Sequence, residues 1–205
     1  YQYLSSKIKS KYILYFHNDP LTMNGSISKN ERLDLLKNLD KIIFVSEWVR
    51  NRFFYIIDKK LIHKTEVVYP SIHKIKRLPK KEKRIVFIGK LNTSKGYDLY
   101  KDAVTKILDK YKDWKAYSIG DEDRKRPVIK HDNHFELGLL EHKKVLDFLS
   151  KSEIAVVPSR WEEPFGRTAL ESTSRGCATI ISKKGGLPET TDNSIILKKL
   201  NSNEI

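Results

Sequence analysis

The sequence of 205 residues has one cysteine, one methionine and no long apolar run. The single cysteine, Cys177, excludes a disulfide within the chain and is typical of a reducing compartment. A membrane-spanning helix needs roughly 18 or more apolar residues in succession, and no stretch approaches that length. Residues 1–10 are polar and lack the apolar region of a secretory signal. We therefore expect a cytoplasmic protein, and its 39% hydrophobic residues are enough for a folded core.

Acidic residues are scarce relative to basic ones. The chain has 40 Lys and Arg against 26 Asp and Glu, a formal net charge of +14. Such a charge favours nucleic acid, an anionic membrane surface or phosphorylated small molecules as partners. Nine basic residues fall within residues 74–98, so a nucleic-acid-binding protein is one alternative. The lack of an aromatic-interleaved RNA motif and of a helix-turn-helix pattern argues against nucleic acid as the partner.

Short β-rich runs alternate with amphipathic stretches along the chain. Apolar residues recur at helical spacing between the runs, as at Leu99, Ala103 and Leu108. This alternation indicates an α/β fold with a parallel sheet covered by helices on both faces. The predicted strands are Tyr12–Phe16, Lys41–Val45, Glu66–Tyr69, Arg84–Ile88, Lys115–Ile119, Ile154–Val157 and Ala178–Ile181.

Two lobes are predicted, joined by a linker at residues 74–83. Prolines and a run of charged residues in this region are typical of a connection between lobes. Residues 1–73 then belong to an N-terminal lobe, and residues 84–205 form a C-terminal lobe. Because the first region offers only about three strands, fewer than a doubly wound domain needs, we expect that lobe to be truncated. We also expect the C-terminal lobe to lack its last helices.

The most informative stretch runs from Pro158 to Glu171. A strand ends just before it, and Pro164 suits the first turn of a helix that runs to about Arg175. The backbone N–H groups at the start of this helix would form a phosphate cradle, in which Gly166 allows close approach of a ligand. These groups belong to Phe165, Gly166 and Arg167.

Two carboxylates flank this predicted helix start. Glu163 lies just outside it, and Glu171 follows eight residues later, about 12 Å along a helix axis. That length approximates the span from the sugar to the ribose of a nucleotide-sugar. The alternative is that Glu163 only complements the helix dipole and Glu171 only solvates the helix.

A second candidate site follows the predicted strand Arg84–Ile88. Gly89 makes a turn there, and Lys90 and Lys95 stand five residues apart. Two ammonium groups at this spacing can converge on a diphosphate at one loop mouth. Alternatively, both are solvated lysines on the surface of a lysine-rich protein.

These stretches resemble the retaining glycosyltransferases of glycosyltransferase family 4, which includes bacterial lipopolysaccharide and capsule enzymes. The stretch from Glu163 to Glu171 is similar to the family's Glu-x7-Glu signature. Gly89-Lys90-Leu91 and Lys95-Gly96 are similar to its Gly-Arg-Leu and Lys-Gly pair, with Lys90 in place of the arginine. The resemblance covers residues 84–195. It implies a GT-B fold, with a Rossmann-like donor-binding lobe and a partial Rossmann-like lobe before it.

The resemblance also implies a reaction and a partner set. The enzyme would transfer a hexose from a UDP-, GDP- or ADP-sugar, with retention of configuration, to a saccharide or lipid-linked acceptor. Glu163 would orient the donor sugar, and Glu171 would hold the ribose. The N–H groups near Gly166, Arg167 and Thr168 would hold the diphosphate. Such enzymes serve in the synthesis of cell-surface polysaccharide and lipopolysaccharide.

The remaining catalytic residues follow from the same resemblance. Lys90 and Lys95 would stabilise the charge that develops on the leaving diphosphate, so no metal is required. His17, which ends the first predicted strand, would face the cleft near donor and acceptor, or else is only a polar strand tip. The segment 121–123, Asp-Glu-Asp, could pass for a metal motif, but a basic run follows it, which favours a solvated loop.

Two further alternatives concern the type of enzyme and its location. A GT-B phosphorylase or an epimerase-like relative would use the same phosphate cradle. The excess positive charge would suit a peripheral position on the inner face of an anionic membrane, where lipid-linked acceptors reside. A chain this short can bind donor without turning it over.

We expect Lys95→Ala to reduce the affinity for nucleoside diphosphates sharply, because the substitution removes a cation from the diphosphate. Calorimetry with UDP, GDP and ADP measures this effect. Unchanged affinity would contradict the role of Lys95.

Overall fold

Parallel strands linked by helices build both of the units into which the chain divides, so the predicted α/β fold is confirmed. Unit 1 comprises residues 1–70, and unit 2 comprises residues 71–205. The structure is a computed structural model, and it describes residues 10–73, 75, 77–124 and 126–205. The predicted linker includes Lys74 and Lys76, which lie outside the described residues.

Unit 1 contains a three-stranded parallel sheet in the order β1-β2-β3. The strands lie at the places predicted, with bounds shifted by one or two residues, and aromatic rings of Phe16, Phe44 and Phe53 pack together beside them. The elements are Ile13–Phe16 (β1), Lys29–Asn38 (α1), Lys41–Phe44 (β2), Glu47–Phe53 (α2), a 3-10 helix at Lys59–Lys64 and Thr65–Val67 (β3).

One buried side chain of unit 1 is an arginine. Arg32, on α1, is 1% exposed, and burial lowers the pKa of its guanidinium. Its NH1 group donates hydrogen bonds to three backbone carbonyls at the C-terminal end of α2, those of Arg52, Phe53 and Tyr55. The guanidinium thus satisfies carbonyls that a helix end leaves without partners.

Unit 2 contains a six-stranded parallel sheet in the order β6-β5-β4-β7-β8-β9. No helix among the described residues is long and apolar enough to cross a membrane. The strands are Glu82–Ile88 (β4), Lys115–Ile119 (β5), His134–Glu136 (β6), Ser152–Val157 (β7), Ala178–Ile181 (β8) and Ser194–Ile196 (β9). The helices are Tyr97–Lys110 (α3), His142–Lys151 (α4) and Arg167–Ser174 (α5), and a 3-10 helix lies at Leu187–Glu189.

The strand order of unit 2 reverses at β4. From β4 the chain first adds β5 and β6 on one side and then β7, β8 and β9 on the other. Strands β4 and β7 are parallel neighbours, with Phe87 beside Val156. The carboxyl ends of all six strands therefore lie at one edge. Such a reversal point is where ligands bind in open α/β sheets.

Side chains of β4 alternate between two buried layers. Ile85 and Phe87 pack against α3, where Tyr100 and Leu108 are fully buried. Val86 faces the opposite side, in a cluster that includes Leu149 of α4. Because helices cover both faces, β4 is apolar along its inner length rather than alternating.

Cys177 is buried in the layer that contains α4. Its thiol donates to the carbonyl oxygens of Leu149 and Ser152. Burial raises the pKa of the thiol to about 11. The thiol therefore stays protonated at neutral pH and acts as a small apolar side chain.

Lys81 ties the ends of two helices together. Its ammonium donates to the carbonyls of Leu149 and Ser152 at the end of α4, and to that of Arg175 at the end of α5. A cation is favourable at a helix C-terminus, where carbonyls lack partners. Burial lowers the pKa of this ammonium group.

We expect Lys81→Met to lower the free energy of unfolding by about 1.5–3 kcal/mol, because buried carbonyls lose a charged donor. Urea denaturation measures the change. The exposed neighbour provides the control, and Lys80→Met should alter stability by less than about 0.5 kcal/mol. Equal effects of the two substitutions would show that Lys81 does not join the helices.

Candidate functional site

The loop after β4 carries the first part of the candidate site. Asn92 shapes this loop, since its Oδ1 accepts the backbone N–H of Lys95 at 3.1 Å and its amide donates to Glu122. Hydrogen bonds from Arg124 and Asn92 lower the pKa of Glu122 to about 2. An ionised carboxylate therefore braces the loop that presents Lys95.

The segment 121–123 is only partly the solvated loop that was predicted. Asp121 and Asp123 are exposed. The side chain of Glu122 is 6% exposed, because Asn92 and Arg124 surround it. No group of three His, Cys, Asp or Glu side chains that could hold a metal ion occurs in the part of the chain that the structure describes.

Lys95 and Glu163, both predicted site residues, meet at the edge where the strands end. The Lys95 ammonium lies 2.6 Å from Oε1 of Glu163. The hydroxyl of Ser159 donates to the same oxygen at 2.9 Å. Oε2 of Glu163 has no hydrogen-bond partner among the described residues, so one carboxylate oxygen remains available to a ligand.

Lys90 does not join this pair. Its side chain is exposed, and it forms no ion pair with any described residue. Gly89, the turn residue before it, donates its N–H to the carbonyl of Ile119 at the end of β5. The structure thus brings Lys95 to Glu163 and leaves the Lys90 ammonium in solvent.

Helix α5 begins three residues later than predicted. Its first residue is Arg167, and Gly166 is the N-cap with a left-handed φ of 119°. An α-helix cannot include that conformation, so the start predicted at Pro164 is wrong. The helix ends at Ser174, within one residue of the predicted end, and Arg175 is its C-cap. Within the described residues no side chain caps the N-terminus of α5.

Backbone conformation and packing inside unit 2 together explain why residue 166 is glycine, since its φ of 119° strains any other residue. A Cβ atom on Gly166 would lie 2.4 Å from Cδ2 of Leu187. The adjacent Phe165 side chain is buried, and its carbonyl accepts the hydroxyl of Thr190 at 2.9 Å. The turn at the start of α5 is therefore held against the segment 187–190.

The loop that follows β8 holds the backbone of Glu163 in place. The backbone N–H of Gly186 donates to the carbonyl of Glu163 at 2.6 Å, and that of Gly185 donates to the carboxylate of Glu162 at 2.7 Å. A Cβ on Gly185 would lie 2.1 Å from the Glu163 carbonyl oxygen, and its φ is left-handed at 59°. Residue 185 must be glycine for Glu163 to keep its place.

Glu171 is 8% exposed, so it does more than solvate its helix. Its Oε1 accepts the ring Nε2–H of His142 at 2.9 Å and the guanidinium of Arg167 at 3.2 Å. The backbone N–H of Thr168 belongs to the first turn of the same helix. Residues 163–166 lie outside the helix, so the estimate of about 12 Å between Glu163 and Glu171 along one axis does not apply.

Sequence reasoning missed three residues of this site: His142, Ser159 and Arg160. Arg160 forms a bidentate ion pair with Asp98 of α3, at 2.6 and 2.8 Å, and donates to the carbonyl of Thr93. It therefore joins the loop after β7 to the loop after β4. A cavity of about 210 Å³ opens beside it, lined by Thr93, Ser94, Arg160 and Trp161.

His17 lies in unit 1, just after β1. Its side chain is exposed, and its ring packs edge-on against Tyr15 at 4.2 Å between centroids. Its role near donor and acceptor stays a prediction.

Comparison with known proteins identifies the family. Residues 68–200 match the model of the glycosyl transferases group 1. The match covers more than half of the chain, so this protein belongs to the group 1 glycosyltransferases.

One relative matches most of the chain. An uncharacterized 42.6 kDa protein in the cps region of Klebsiella pneumoniae is 29% identical over 161 residues, which are 75% of this chain and 41% of that protein. The chain therefore spans less than half the length of this relative.

Solved structures show the same fold. A glycosyltransferase from Rickettsia africae ESF-5 has a TM-score of 0.74 at 19% identity, over 99% of this chain and 61% of that chain. The Anabaena protein HepE, solved in complex with UDP-glucose, has a TM-score of 0.70 at 14% identity, over 96% and 60%. These similarities confirm the predicted GT-B type of fold.

Two glycine substitutions test the support behind Glu163. We expect Gly138→Ala, which places a Cβ in open space at a left-handed φ of 64°, to cost about 1 kcal/mol of stability. Gly185→Ala adds a clash with the Glu163 backbone and should cost about 1–3 kcal/mol more. Urea denaturation of both variants measures the difference. Equal losses of stability in the two variants would mean that the close approach of Gly185 to the Glu163 backbone does not affect the free energy of unfolding.

Proposed function

We propose that this chain carries the donor site of a retaining glycosyltransferase that transfers a hexose from a nucleoside-diphosphate sugar. The observation that carries the proposal is the meeting of Lys95, Glu163 and the start of α5 where the strand order reverses. Membership of the group 1 glycosyltransferases supports glycosyl transfer as the reaction.

The diphosphate would lie between Lys95 and the first turn of α5. Backbone N–H groups of Gly166, Arg167 and Thr168 point toward an anion at such a helix start, where the helix dipole adds positive potential. Lys90, which is exposed, would supply a second cation. A lysine there offers charge without the two-pronged hydrogen bonding of arginine.

The two carboxylates would bind the two sugars of the donor. Oε2 of Glu163 is available for hydroxyls of the hexose, and Oε2 of Glu171 is available for the ribose. A carboxylate only accepts hydrogen bonds, so hydroxyl donors are its natural partners. The fold similarity to HepE, solved with UDP-glucose, supports a nucleotide-sugar of this kind.

In the reaction, the bond between the anomeric carbon and the diphosphate oxygen would break as the acceptor hydroxyl attacks from the same face. Negative charge develops on the departing diphosphate, where Lys95 and the start of α5 stabilise it. The departing phosphate oxygen takes the acceptor proton, so no protein nucleophile is needed. Glu163 orients the hexose, and His17 of unit 1 would contact donor or acceptor.

We also propose that donor binding needs no metal, since Lys90, Lys95 and the start of α5 would replace it at the diphosphate.

We propose in addition a cytoplasmic position against the inner face of the membrane. The net charge of +14 would favour an anionic membrane surface. The acceptor there would be a saccharide or lipid-linked molecule. A relative in a cps region supports a role in cell-surface polysaccharide synthesis.

Calorimetry tests the donor site directly. We expect one of UDP, GDP and ADP to bind more tightly than the other two, and EDTA to leave its affinity unchanged. Binding no tighter than that of inorganic phosphate, for all three, would overturn the proposal.

The stereochemistry can be tested without the acceptor. Slow hydrolysis of UDP-glucose, GDP-mannose or ADP-glucose should release the sugar first as the anomer present in the donor. Proton NMR recorded before mutarotation distinguishes the two anomers. Initial release of the inverted anomer would contradict retention.

A double substitution tests the Lys95–Glu163 pair. Lys95→Ala should weaken binding of the preferred nucleoside diphosphate by about 1.5–3 kcal/mol. It also leaves the Glu163 carboxylate unpaired beside the phosphates, so adding Glu163→Gln should restore part of the loss. Lys29→Ala, at an exposed position on α1, is the control and should have no effect. If Glu163→Gln restores nothing, the carboxylate does not lie beside the phosphates.

A further inference from the structure

The two oxygens of the Glu171 carboxylate have different surroundings. Oε1 accepts hydrogen bonds from His142 and Arg167, at 2.9 and 3.2 Å. Oε2 has no hydrogen-bond partner among the residues that the structure describes. Since the side chain is only 10% exposed, its orientation is restricted, and Oε2 can accept a hydrogen bond from a group outside the chain.

The two donors to Oε1 come from different elements. Arg167 stands one turn before Glu171 on α5, and its long side chain is 71% exposed. His142 is the first residue of α4, so it approaches from a separate helix with a short, rigid ring. The contact from α4 therefore restrains the direction of the carboxylate from a second element, in addition to the contact within α5.

The contact between His142 and Glu171 is not needed to hold α4 and α5 together. The His142 side chain is 57% exposed, so only the Glu171 end of this hydrogen bond is buried. Helices α4 and α5 are already joined at their C-terminal ends by Lys81. The effect of His142 is therefore expected mainly on the direction of the carboxylate.

We propose that His142 is a positioning residue for the ribose of the nucleotide. By holding Oε1, it directs Oε2 toward the two neighbouring hydroxyls of the ribose, which are hydrogen-bond donors. This inference rests on the proposed donor site and adds a residue that acts through Glu171. His142 itself need not touch the nucleotide.

The test compares ribonucleotides with nucleotides that lack one hydroxyl. Calorimetry is carried out on the 205-residue chain with UDP, GDP and ADP and with their 2′-deoxy and 3′-deoxy counterparts. We expect His142→Ala to weaken binding of the preferred ribonucleotide by about 5- to 20-fold. Binding of the deoxynucleotide that lacks the hydroxyl bound by Glu171 should weaken by no more than about 2-fold, because that nucleotide has already lost the contact.

A conservative substitution and a neighbouring control accompany this comparison. His142→Gln keeps an N–H donor, so it should restore ribonucleotide affinity to within about 3-fold of the original protein. Lys143→Ala changes the next exposed residue of α4 and should leave both kinds of nucleotide unaffected. If His142→Ala does not fold, His142→Asn, whose amide is shorter, takes its place.

The outcomes separate this inference from the proposed function. If the parent chain binds a ribonucleotide and His142→Ala weakens ribo- and deoxynucleotides equally, His142 is structural and only this inference is overturned. If the parent chain binds none of the nucleoside diphosphates, the donor site itself is wrong. Loss of affinity for the ribonucleotide alone in His142→Ala, with recovery in His142→Gln, supports both this inference and the proposed donor site.

Discussion

Parallel pairing of β4 with both β5 and β7 is the constraint on which the candidate site depends. It places the ends of β4 and β7 side by side while the chain leaves them toward opposite faces of the sheet. The loops after these strands therefore border one crevice. Lys95 and Glu163 are 68 residues apart in sequence, yet their charged groups lie 2.6 Å apart. Their proximity comes from the strand order and not from any local motif.

Strand order alone would leave the two loops loose, and side chains hold them in place. Asn92 and Glu122 shape the loop that presents Lys95, and Arg160 joins it to the loop after β7. Gly185 allows a third loop to press against the backbone of Glu163. A binding site that is ordered before its ligand arrives loses less conformational entropy on binding. In the proposed donor site, these bracing residues would contribute to affinity without touching a ligand.

Local patterns predicted the parts of this protein that depend on local physics. Apolar runs located seven of the nine strands that the structure describes, and β6 and β9 were not among them. The proline–glycine context around Glu163 located the loop and, to within one residue, the end of α5. Contacts between distant segments could not be predicted in the same way. Arg32 is buried because it meets the end of α2, and His142 contacts Glu171 because α4 starts beside that carboxylate. The start of α5 was misplaced because Pro164 is a good first residue, while the left-handed Gly166 could be recognised only from its packing.

The burial of Cys177 has a practical consequence. It is the only cysteine in these 205 residues, and its thiol lies between the carbonyls of Leu149 and Ser152. Thiol-directed reagents react with thiolates, which a pKa of about 11 makes rare at neutral pH. A cysteine introduced on the surface would therefore be the sole reactive thiol of the chain. Fluorophores or spin labels can be attached at one chosen position without first removing the natural cysteine.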